Sequence, residues 1–309
     1  MSHIDAVTID ITKACNLKCD HCFANCSPDL TVDVIPDEYY EIVVEKIGKI
    51  NPYSVCICGG EPLLRKELVI KLINNLKAIN ISSVNIVTNG LLLDTDFSEK
   101  LKCADLDTVQ ISIDNWHGFH SFEDNGTYNK QIMEAIENLV SKGCNVEVSC
   151  IPTMDNHMII PEMVDRLENA GVSKFRMQPL ILLGRASCFS NQKLDTIHQL
   201  KFISQMKRIK HSRIIVEWND PSNFFYDIVS VGKISSISID ERCRVLLSPY
   251  LNVSFGNILY DSINDIETRL FDAIKNPYYF RMFSDIAEKG IDYISSINVD
   301  TSRMFEYYY

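Results

Sequence analysis

Three cysteines near the start of the chain have the side-chain type and spacing that hold an iron–sulfur cluster. Cys15, Cys19 and Cys22 follow a C-x3-C-x2-C pattern, which places three thiolates within eight residues. A four-iron cluster is normally held by four cysteine thiolates, so a site with three leaves one iron open to a non-protein ligand. Two other interpretations stay open at this point. One is a structural zinc site, which wants four ligands and has only Cys26 and His21 to spare; the other is three unrelated core thiols.

A second pattern, Gly59-Gly60-Glu61-Pro62, follows an apolar and β-prone run at residues 53–58. Two adjacent glycines at the end of a strand let the backbone approach a ligand closely. The carboxylate just beyond them is suited to bind an ammonium group. A tight turn alone would also explain this sequence. The glycines lie about thirty-seven residues after the third cysteine, and the two patterns together favour one shared site.

The two motifs resemble those of the radical S-adenosylmethionine (SAM) superfamily. The resemblance implies a 4Fe–4S cluster on the three cysteines, with the methionine part of SAM on the open iron. It also implies SAM contacts from the residue before the third cysteine, from the glycine motif and from the ends of later strands. These residues are His21, Gly59, Gly60, Glu61, Pro62, Thr88, Asn89, Ser112, Asp114 and Gln178. An ordinary role as a strand-end cap or turn residue stays open for those at the strand ends.

Apolar segments and helical periodicity alternate along the first part of the chain and predict repeated β–α pairs. We expect strands at 6–11, 53–58, 83–90, 107–113, 145–151 and 173–180, and helices at 37–49, 66–79, 128–142 and 158–170. Repeats of this length favour a parallel sheet with right-handed crossovers. The motifs then follow the carboxyl ends of strands, where functional residues gather in such barrels. Six strands fit the partial barrel of the superfamily, so the predicted fold class is α/β, a partial (β/α)6 TIM-like barrel with a small C-terminal α+β appendage.

The later sequence is similar to a subgroup that includes peptide-modifying maturases and the molybdenum-cofactor cyclase. The matching elements are Asp114, His120, Gly126-Thr127-Tyr128 and Gly184-Arg185-Ala186. Arg185 is either a ligand for an anion at the barrel mouth or a solvated arginine. The resemblance implies a radical SAM partial barrel at 1–190, a helix and strand extension at 191–235, and a remnant of a SPASM or twitch region at 236–309. Cys243 takes the place of the first cysteine of that region, but Phe255 replaces another and no cysteine follows. One cluster is therefore expected.

Composition and charge argue against several classes of protein. The formal net charge is −11 with no visible basic patch, which disfavours a nucleic-acid partner. No run approaches the roughly 18 apolar residues that cross a bilayer, and the first residues lack the pattern of a signal peptide. Eleven cysteines are an odd number without the spacing of a disulfide framework. We expect a cytoplasmic protein without a membrane partner.

The resemblance implies an enzyme that cleaves SAM reductively to a 5′-deoxyadenosyl radical and abstracts hydrogen from a peptide or a small metabolite. A ferredoxin or flavodoxin-type protein is the expected reductant, and no side chain is assigned a catalytic role beyond the cluster. Two alternatives stay open: a non-enzymatic 4Fe–4S electron-transfer or sensor protein, and a small-molecule cyclase of the molybdopterin type. Several other thiols are either small core hydrophobes or groups that give a hydrogen atom to a substrate radical. These are Cys26, Cys56, Cys58, Cys150 and Cys188.

Overall fold

The computed structural model describes residues 4–31, 35–114, 127–209 and 213–297. The chain divides into two compact units. The first contains Met1–Val84, Ile181–Ser187 and Pro221–Tyr309, and the second contains Asn85–Leu180 and Cys188–Asp220. The predicted domains at 1–190, 191–235 and 236–309 are based on family resemblance, a different criterion from compactness, and they stay a prediction.

The described elements begin with alternating strands and helices, as predicted. The strands are β1 (Ala6–Asp10), β2 (Ser54–Cys58), β3 (Ser83–Thr88), β4 (Thr108–Ser112), β5 (Asn145–Cys150), β6 (Lys174–Met177), β7 (Ile215–Trp218), β8 (Ser236–Ile239), β9 (Arg244–Ser248) and β10 (Leu251–Asn257). The helices are α1 (Tyr39–Ile50), α2 (Lys66–Ala78), α3 (Thr95–Cys103), α4 (Thr127–Ser141), α5 (Ile160–Asn169), α6 (Thr196–Arg208), α7 (Ser222–Val231), α8 (Ile263–Lys275), α9 (Pro277–Lys289) and α10 (Tyr293–Ser296). The six predicted strands and four predicted helices are all present, and the α/β class is confirmed.

In the first unit, the strands follow the order β10–β9–β8–β1–β2. Strand β1 pairs in parallel with both β2 and β8, so that Ile9 lies opposite Ile57 on one side and Ile239 on the other. Strands β8, β9 and β10 form antiparallel pairs. The antiparallel part is built from the sequence that was predicted to be an appendage.

In the second unit, the strands follow the order β3–β4–β5–β6–β7, with Asn85–Thr88 as the part of β3 that belongs to it. All four neighbouring pairs are parallel. The connections between β3, β4, β5 and β6 each contain one helix, α3, α4 and α5 in turn. A parallel pair needs such a crossover of a dozen or more residues.

Side chains alternate along the strands between buried apolar and less buried polar types. In β1 and β2, Val7, Ile9, Val55 and Ile57 are at most 1% exposed, whereas the residues between them are partly exposed. By contrast, the strands of a parallel sheet that is covered on both faces are apolar along nearly their whole length. In β1 and β2, therefore, one face packs into the core and the more polar residues lie on the other face.

Candidate functional site

The three motif cysteines lie in a loop that directly follows β1 and belongs to the first unit. We call residues 14–27 the cysteine loop. Its two ends are joined, because Ala14 and Ser27 form a β-bridge and the Cys15 amide donates a hydrogen bond of 3.1 Å to the Ser27 carbonyl. Cys15 is buried, while Cys19, His21 and Cys22 are partly exposed. The loop is thus closed at its base and exposes two of its three thiols.

The glycine motif contacts the backbone that leads into this loop. The Gly60 amide donates to the Thr12 carbonyl at 2.7 Å, and the Glu61 amide donates to the Ala14 carbonyl at 2.9 Å. A Cβ atom on Gly60 would lie 2.1 Å from the Ala14 oxygen, and one on Gly59 would lie 2.5 Å from the Thr12 oxygen. Both positions exclude any side chain because a backbone passes too close. The two sequence motifs are therefore one structural unit.

Glu61 and Pro62 begin a short 3-10 helix, Pro62–Arg65. The Glu61 side chain is fully buried, and its Oε1 accepts a hydrogen bond of 2.9 Å from the Leu63 amide. A side-chain acceptor at a helix start satisfies an amide that has no partner within the helix. Proline at the first helical position loses nothing by lacking an amide hydrogen. Contacts of the glycine motif with SAM stay predictions.

Arg65 and Tyr40 support Ile11, the residue that follows β1. Both donate to the Ile11 carbonyl, Arg65 from Nη1 at 2.6 Å and Tyr40 from its hydroxyl at 3.2 Å. Arg65 is 7% exposed and also pairs with Asp37. Burial, the largest influence, raises the pKa of the Tyr40 hydroxyl above its ordinary value, so this donor keeps its proton. Neither residue was recognisable as part of the site from the sequence, because each is far from the loop along the chain.

Arg185 binds the cysteine loop through three backbone carbonyls. Its amide donates to Cys22 at 3.1 Å, its Nε to Cys19 at 2.9 Å, and its Nη2 to Cys26 at 2.6 Å. Gly184 precedes it with a φ of +56°, and a Cβ atom there would lie 2.3 Å from the Phe23 oxygen. Arg185 is thus a donor to the loop, and its expected role as an anion ligand stays a prediction. The motif that contains Arg185 was recognisable in the sequence, but the contact of Arg185 with the cysteine loop was not.

The Cys22 thiol is surrounded by donors. Hydrogen bonds from the Cys26 side chain, then from the Cys26 and Ala24 amides, together with the charge of Arg185, lower the pKa of Cys22 to about 5 despite partial burial. The same pair raises the pKa of Cys26, so Cys26 keeps the proton that it donates. Thiolate is the form in which cysteine binds iron. The chemistry of this donor set therefore fits an iron–sulfur cluster.

Five predicted site residues lie at strand ends in the second unit, where each makes a local contact. The Thr88 hydroxyl accepts from the Gly90 amide at 3.0 Å, and the Asn89 side chain accepts from the Leu91 amide at 3.1 Å. The others contact the neighbouring strand: Ser112 Oγ lies 3.3 Å from Ser149 Oγ, Asp114 accepts from the Ile151 amide at 2.7 Å, and the Gln178 amide donates to the Cys150 carbonyl at 3.4 Å. The contacts of Thr88 and Asn89 match the turn role that was left open. SAM contacts of these residues stay predictions.

Part of the subgroup pattern lies outside the described residues. This applies to His120 and Gly126, and to the side chains of Thr127 and Tyr128, although these two residues are within α4.

Comparison with known proteins agrees with this geometry. A model of the radical SAM superfamily matches residues 9–171. A probable GTP 3′,8-cyclase of Methanocaldococcus jannaschii is 36% identical over 111 residues, which is 36% of this chain and 37% of that protein. The sporulation killing factor maturation protein SkfB of Bacillus subtilis is 26% identical over 268 residues, 84% of this chain and 63% of that protein. The chain thus spans about a third to two thirds of the curated relatives that it matches.

Solved structures give the same fold. SuiB of Streptococcus suis bound to S-adenosylmethionine superposes with a TM-score of 0.66 at 17% identity, over 92% of this chain and 68% of SuiB. SuiB bound to its precursor peptide SuiA gives a TM-score of 0.62 at 16% identity, over 92% of this chain and 67% of that one. The predicted partial TIM-like fold class is confirmed by this likeness.

The family model covers more than half of the sequence and includes the whole cysteine loop and the glycine motif. This chain belongs to the radical SAM superfamily. Members of the superfamily bind a 4Fe–4S cluster and SAM, and the loop with Cys15, Cys19 and Cys22 has the donor chemistry for that cluster.

Proposed function

We propose that this protein is an enzyme that removes a hydrogen atom from a carbon of its substrate by using SAM and one 4Fe–4S cluster on Cys15, Cys19 and Cys22. When bound, the cluster supplies the electron that splits the SAM sulfonium and yields a 5′-deoxyadenosyl radical. The observation that carries the proposal is the restraint of the cysteine loop. The glycine motif bonds to Thr12, just before the loop, and to Ala14, its first residue, and Arg185 bonds to later carbonyls of the loop.

Residues of this chain fix the position of the cysteine loop and set the charge of its thiols. Gly59 and Gly60 set the position of the loop base through close backbone contact, and Arg185 sets the position of the second and third cysteines. The donors around Cys22 keep its sulfur anionic. In the proposal, Glu61 binds the methionine ammonium of SAM. The protein thus supplies orientation and charge, while the cofactor supplies the difficult step.

The proposed substrate is a peptide, with a small metabolite as the other possibility. SkfB is a maturation protein, and SuiB was crystallised with a precursor peptide. Both similarities extend over most of this chain. A likeness at this level of identity establishes the fold, so the peptide substrate is our inference.

A small-molecule cyclase is the second candidate function. It is favoured by the 36% identity to a probable GTP 3′,8-cyclase, which is higher but confined to 111 residues. Against it, no cysteine follows Cys243 in the sequence. Incubation of the reduced protein with SAM and GTP separates the two candidates, because only the cyclase consumes GTP.

The proposal also covers the reductant, the cellular location and the partners of the enzyme. A ferredoxin or flavodoxin-type protein would supply the electron, and the protein would act in the cytoplasm without nucleic acid or a membrane. Among the helices that the structure describes, none has the length and apolarity to cross a membrane.

The proposal is tested by SAM binding to the anaerobically reconstituted protein. Addition of SAM should perturb the electron paramagnetic resonance spectrum of the reduced cluster, whereas a non-enzymatic electron-transfer protein would show no change. Glu61→Gln keeps an oxygen that can accept from the Leu63 amide but removes the charge. We expect its SAM affinity to fall about tenfold, the effect of one charge-assisted hydrogen bond.

The matched control is Glu45→Gln, which makes the same chemical change at an exposed side chain paired with Lys49. It should bind SAM as the unmodified protein does. A reduced cluster whose spectrum does not respond to saturating SAM contradicts the proposed function.

A further inference from the structure

Two acidic side chains lie together at the carboxyl ends of β1 and β8 in the first unit. The pairing of Ile9 with Ile239 brings the next residues, Asp10 and Asp240, to the ends of neighbouring parallel strands. Glu241 follows immediately. None of these three residues belongs to the cysteine loop or the glycine motif, so the function described above leaves them without a role.

Asp240 already has its donors. Its Oδ2 accepts from Arg244 Nε at 2.6 Å, and its Oδ1 accepts from the amides of Arg242 and Arg244 at 3.0 and 2.9 Å. These bonds close the turn between β8 and β9. The charge of Asp240 is therefore compensated within the protein.

Glu241 differs, because one of its oxygens has no donor. The side chain is 4% exposed, yet within the described part of the chain Oε2 is buried and accepts no hydrogen bond. Its Oε1 is 3.7 Å from Lys13 Nζ and 3.6 Å from Arg242 Nε, which are long contacts to cations that are themselves 42% and 62% exposed. A buried acceptor without a donor costs about 1–3 kcal/mol, and more when charged. The orphaned oxygen therefore points to a donor that comes from a ligand.

Asp10 is another acidic side chain at this end of the paired strands β1 and β8 whose charge interacts with that of Glu241. Its side chain is on the less buried face of β1, and Glu241 exerts the strongest charge effect on it. Burial, then the charges of Glu241 and Asp240, raises the pKa of Asp10 to about 7, with Lys13 acting in the opposite direction. Among the described residues, no hydrogen bond or ion pair to the Asp10 carboxyl is found. The strand pairing thus brings Asp10 and Glu241 to the same end of β1 and β8, where a cation would offset both charges and supply a donor to the orphaned oxygen of Glu241.

We propose that Asp10 and Glu241 bind a cationic group of the substrate, an ammonium or a guanidinium, at the ends of β1 and β8. Such a group brings several donors and a positive charge, and donors of this kind form the strongest hydrogen bonds with carboxylates. The proposal rests on the proposed function and deepens it: the substrate carries a lysine-like or arginine-like side chain or a free amine. The acidic balance of the sequence, −11, is compatible with such a substrate.

The test compares two probes that differ only in the charged group. N-acetyl-lysine amide and N-acetyl-norleucine amide have the same four-carbon side chain, and only the first ends in an ammonium. Their affinities for the reconstituted protein are measured by titration calorimetry at saturating SAM. We expect the lysine probe to bind at least tenfold more tightly, because about one charge-assisted hydrogen bond accounts for a difference of that size. Equal affinities for the two probes overturn the proposal, and this arm needs no variant.

Two variants test whether Asp10 and Glu241 cause the preference for the lysine probe. Asp10→Asn and Glu241→Gln keep the side-chain size and remove the charge, so each should reduce the preference for the lysine probe about tenfold. Glu45→Gln, an exposed glutamate of the same unit, should leave the preference unchanged. A preference that survives in both Asp10→Asn and Glu241→Gln overturns the assignment to this site.

The failure of this inference is distinguishable from failure of the proposed function. Formation of 5′-deoxyadenosine by the unmodified protein without any probe reports on the proposed function alone. If that product forms and the two probes bind equally, the substrate inference is wrong and the function stands. If the product does not form in protein with an intact cluster, the function itself is wrong.

Discussion

Arg185 illustrates how one side chain can hold a ligand loop in place without binding the ligand. Its guanidinium has five donors in a rigid plane, and two of them reach the carbonyls of Cys19 and Cys26 while its own amide reaches Cys22. The same positive charge helps keep the Cys22 sulfur anionic. At the scale of the residue, therefore, the site depends on donors supplied from far along the chain.

Replacement of Arg185 by lysine should loosen the cysteine loop. Lysine keeps the charge but cannot place two donors in a fixed plane, and each lost bond from a charged donor is worth about 1.5–3 kcal/mol. We expect the reconstituted variant to lose iron to a chelator at least about tenfold faster than the unmodified protein. Arg166→Lys, at an exposed pair with Glu162, is the control. An unchanged rate of iron loss in Arg185→Lys would show that the carbonyl contacts do not restrain the loop.

Asp10 makes stability depend on pH. Its pKa is raised to about 7 in the folded protein, whereas it is about 3.9 in an unfolded chain. Between these values the folded state holds a proton that the unfolded state has released, so the free energy of unfolding falls as pH rises and levels off above about pH 7. Asp10→Asn has no carboxyl group at this position, so its free energy of unfolding lacks this fall with rising pH. Its free energy of unfolding relative to the unmodified protein should rise between pH 4 and pH 7 by about 3 kcal/mol.

Denaturant titrations of both proteins across that range measure this difference. A constant difference between pH 4 and pH 7 would mean that Asp10 titrates normally.

At the scale of the element, the alternation of side chains along the strands was readable from the sequence. β1, β2, β3 and β4 were predicted to within two residues at each end, because apolar residues recur at every second position and a helix follows each strand. The positions of β7 and β8 were not predicted, although strands were expected in these two regions. Each has only four residues, and so short a segment becomes a strand through pairing with a neighbour distant in sequence, β6 for one and β1 for the other.

The contact between the glycine motif and the loop base gives an element-scale prediction. In Gly60→Ala, the added Cβ atom would lie 2.1 Å from the Ala14 oxygen, so either β2 or the loop base must move. We expect loss of several kcal/mol of stability or failure to hold the cluster, since backbone cannot rotate away as a side chain can.

Gly232→Ala is the matched control. Gly232 ends α7 with a φ of +65° and has no atom within 4 Å of the added Cβ, so only the backbone cost of about 1–2 kcal/mol applies. Iron content after reconstitution and thermal unfolding distinguish the two variants. Equal effects at both positions would contradict the close-contact explanation.

At the scale of the whole molecule, the sequence located the candidate site but not the contacts that support it. The cysteine and glycine motifs were recognisable because their residues are adjacent in sequence. The supporting bonds from Arg65, Tyr40 and Arg185 join positions 54, 29 and 166 residues apart, and no local pattern encodes such pairs. Asp10 and Glu241 were missed for the same reason, since only the pairing of β1 with β8 brings them together.

The number of clusters is also a property of the whole molecule. Cys243 is 1% exposed, its φ is +62°, and its amide and carbonyl are bonded to Asp240 and Ile258. Burial, then the charges of Asp240 and Glu241, raises its pKa to about 12, which disfavours the thiolate. Cys243→Ser should therefore leave the iron content unchanged at about four atoms per chain. A second cluster would appear as about eight atoms in the unmodified protein and a loss on substitution.

The central claim is that the cysteine loop holds a cluster able to split SAM. The most direct measurement is the amount of 5′-deoxyadenosine formed by anaerobically reconstituted protein with dithionite and SAM. The account predicts this product in the unmodified protein and its absence when Cys15, Cys19 and Cys22 are replaced by alanine. An intact cluster that yields no 5′-deoxyadenosine, or product that persists without the three thiols, would contradict it.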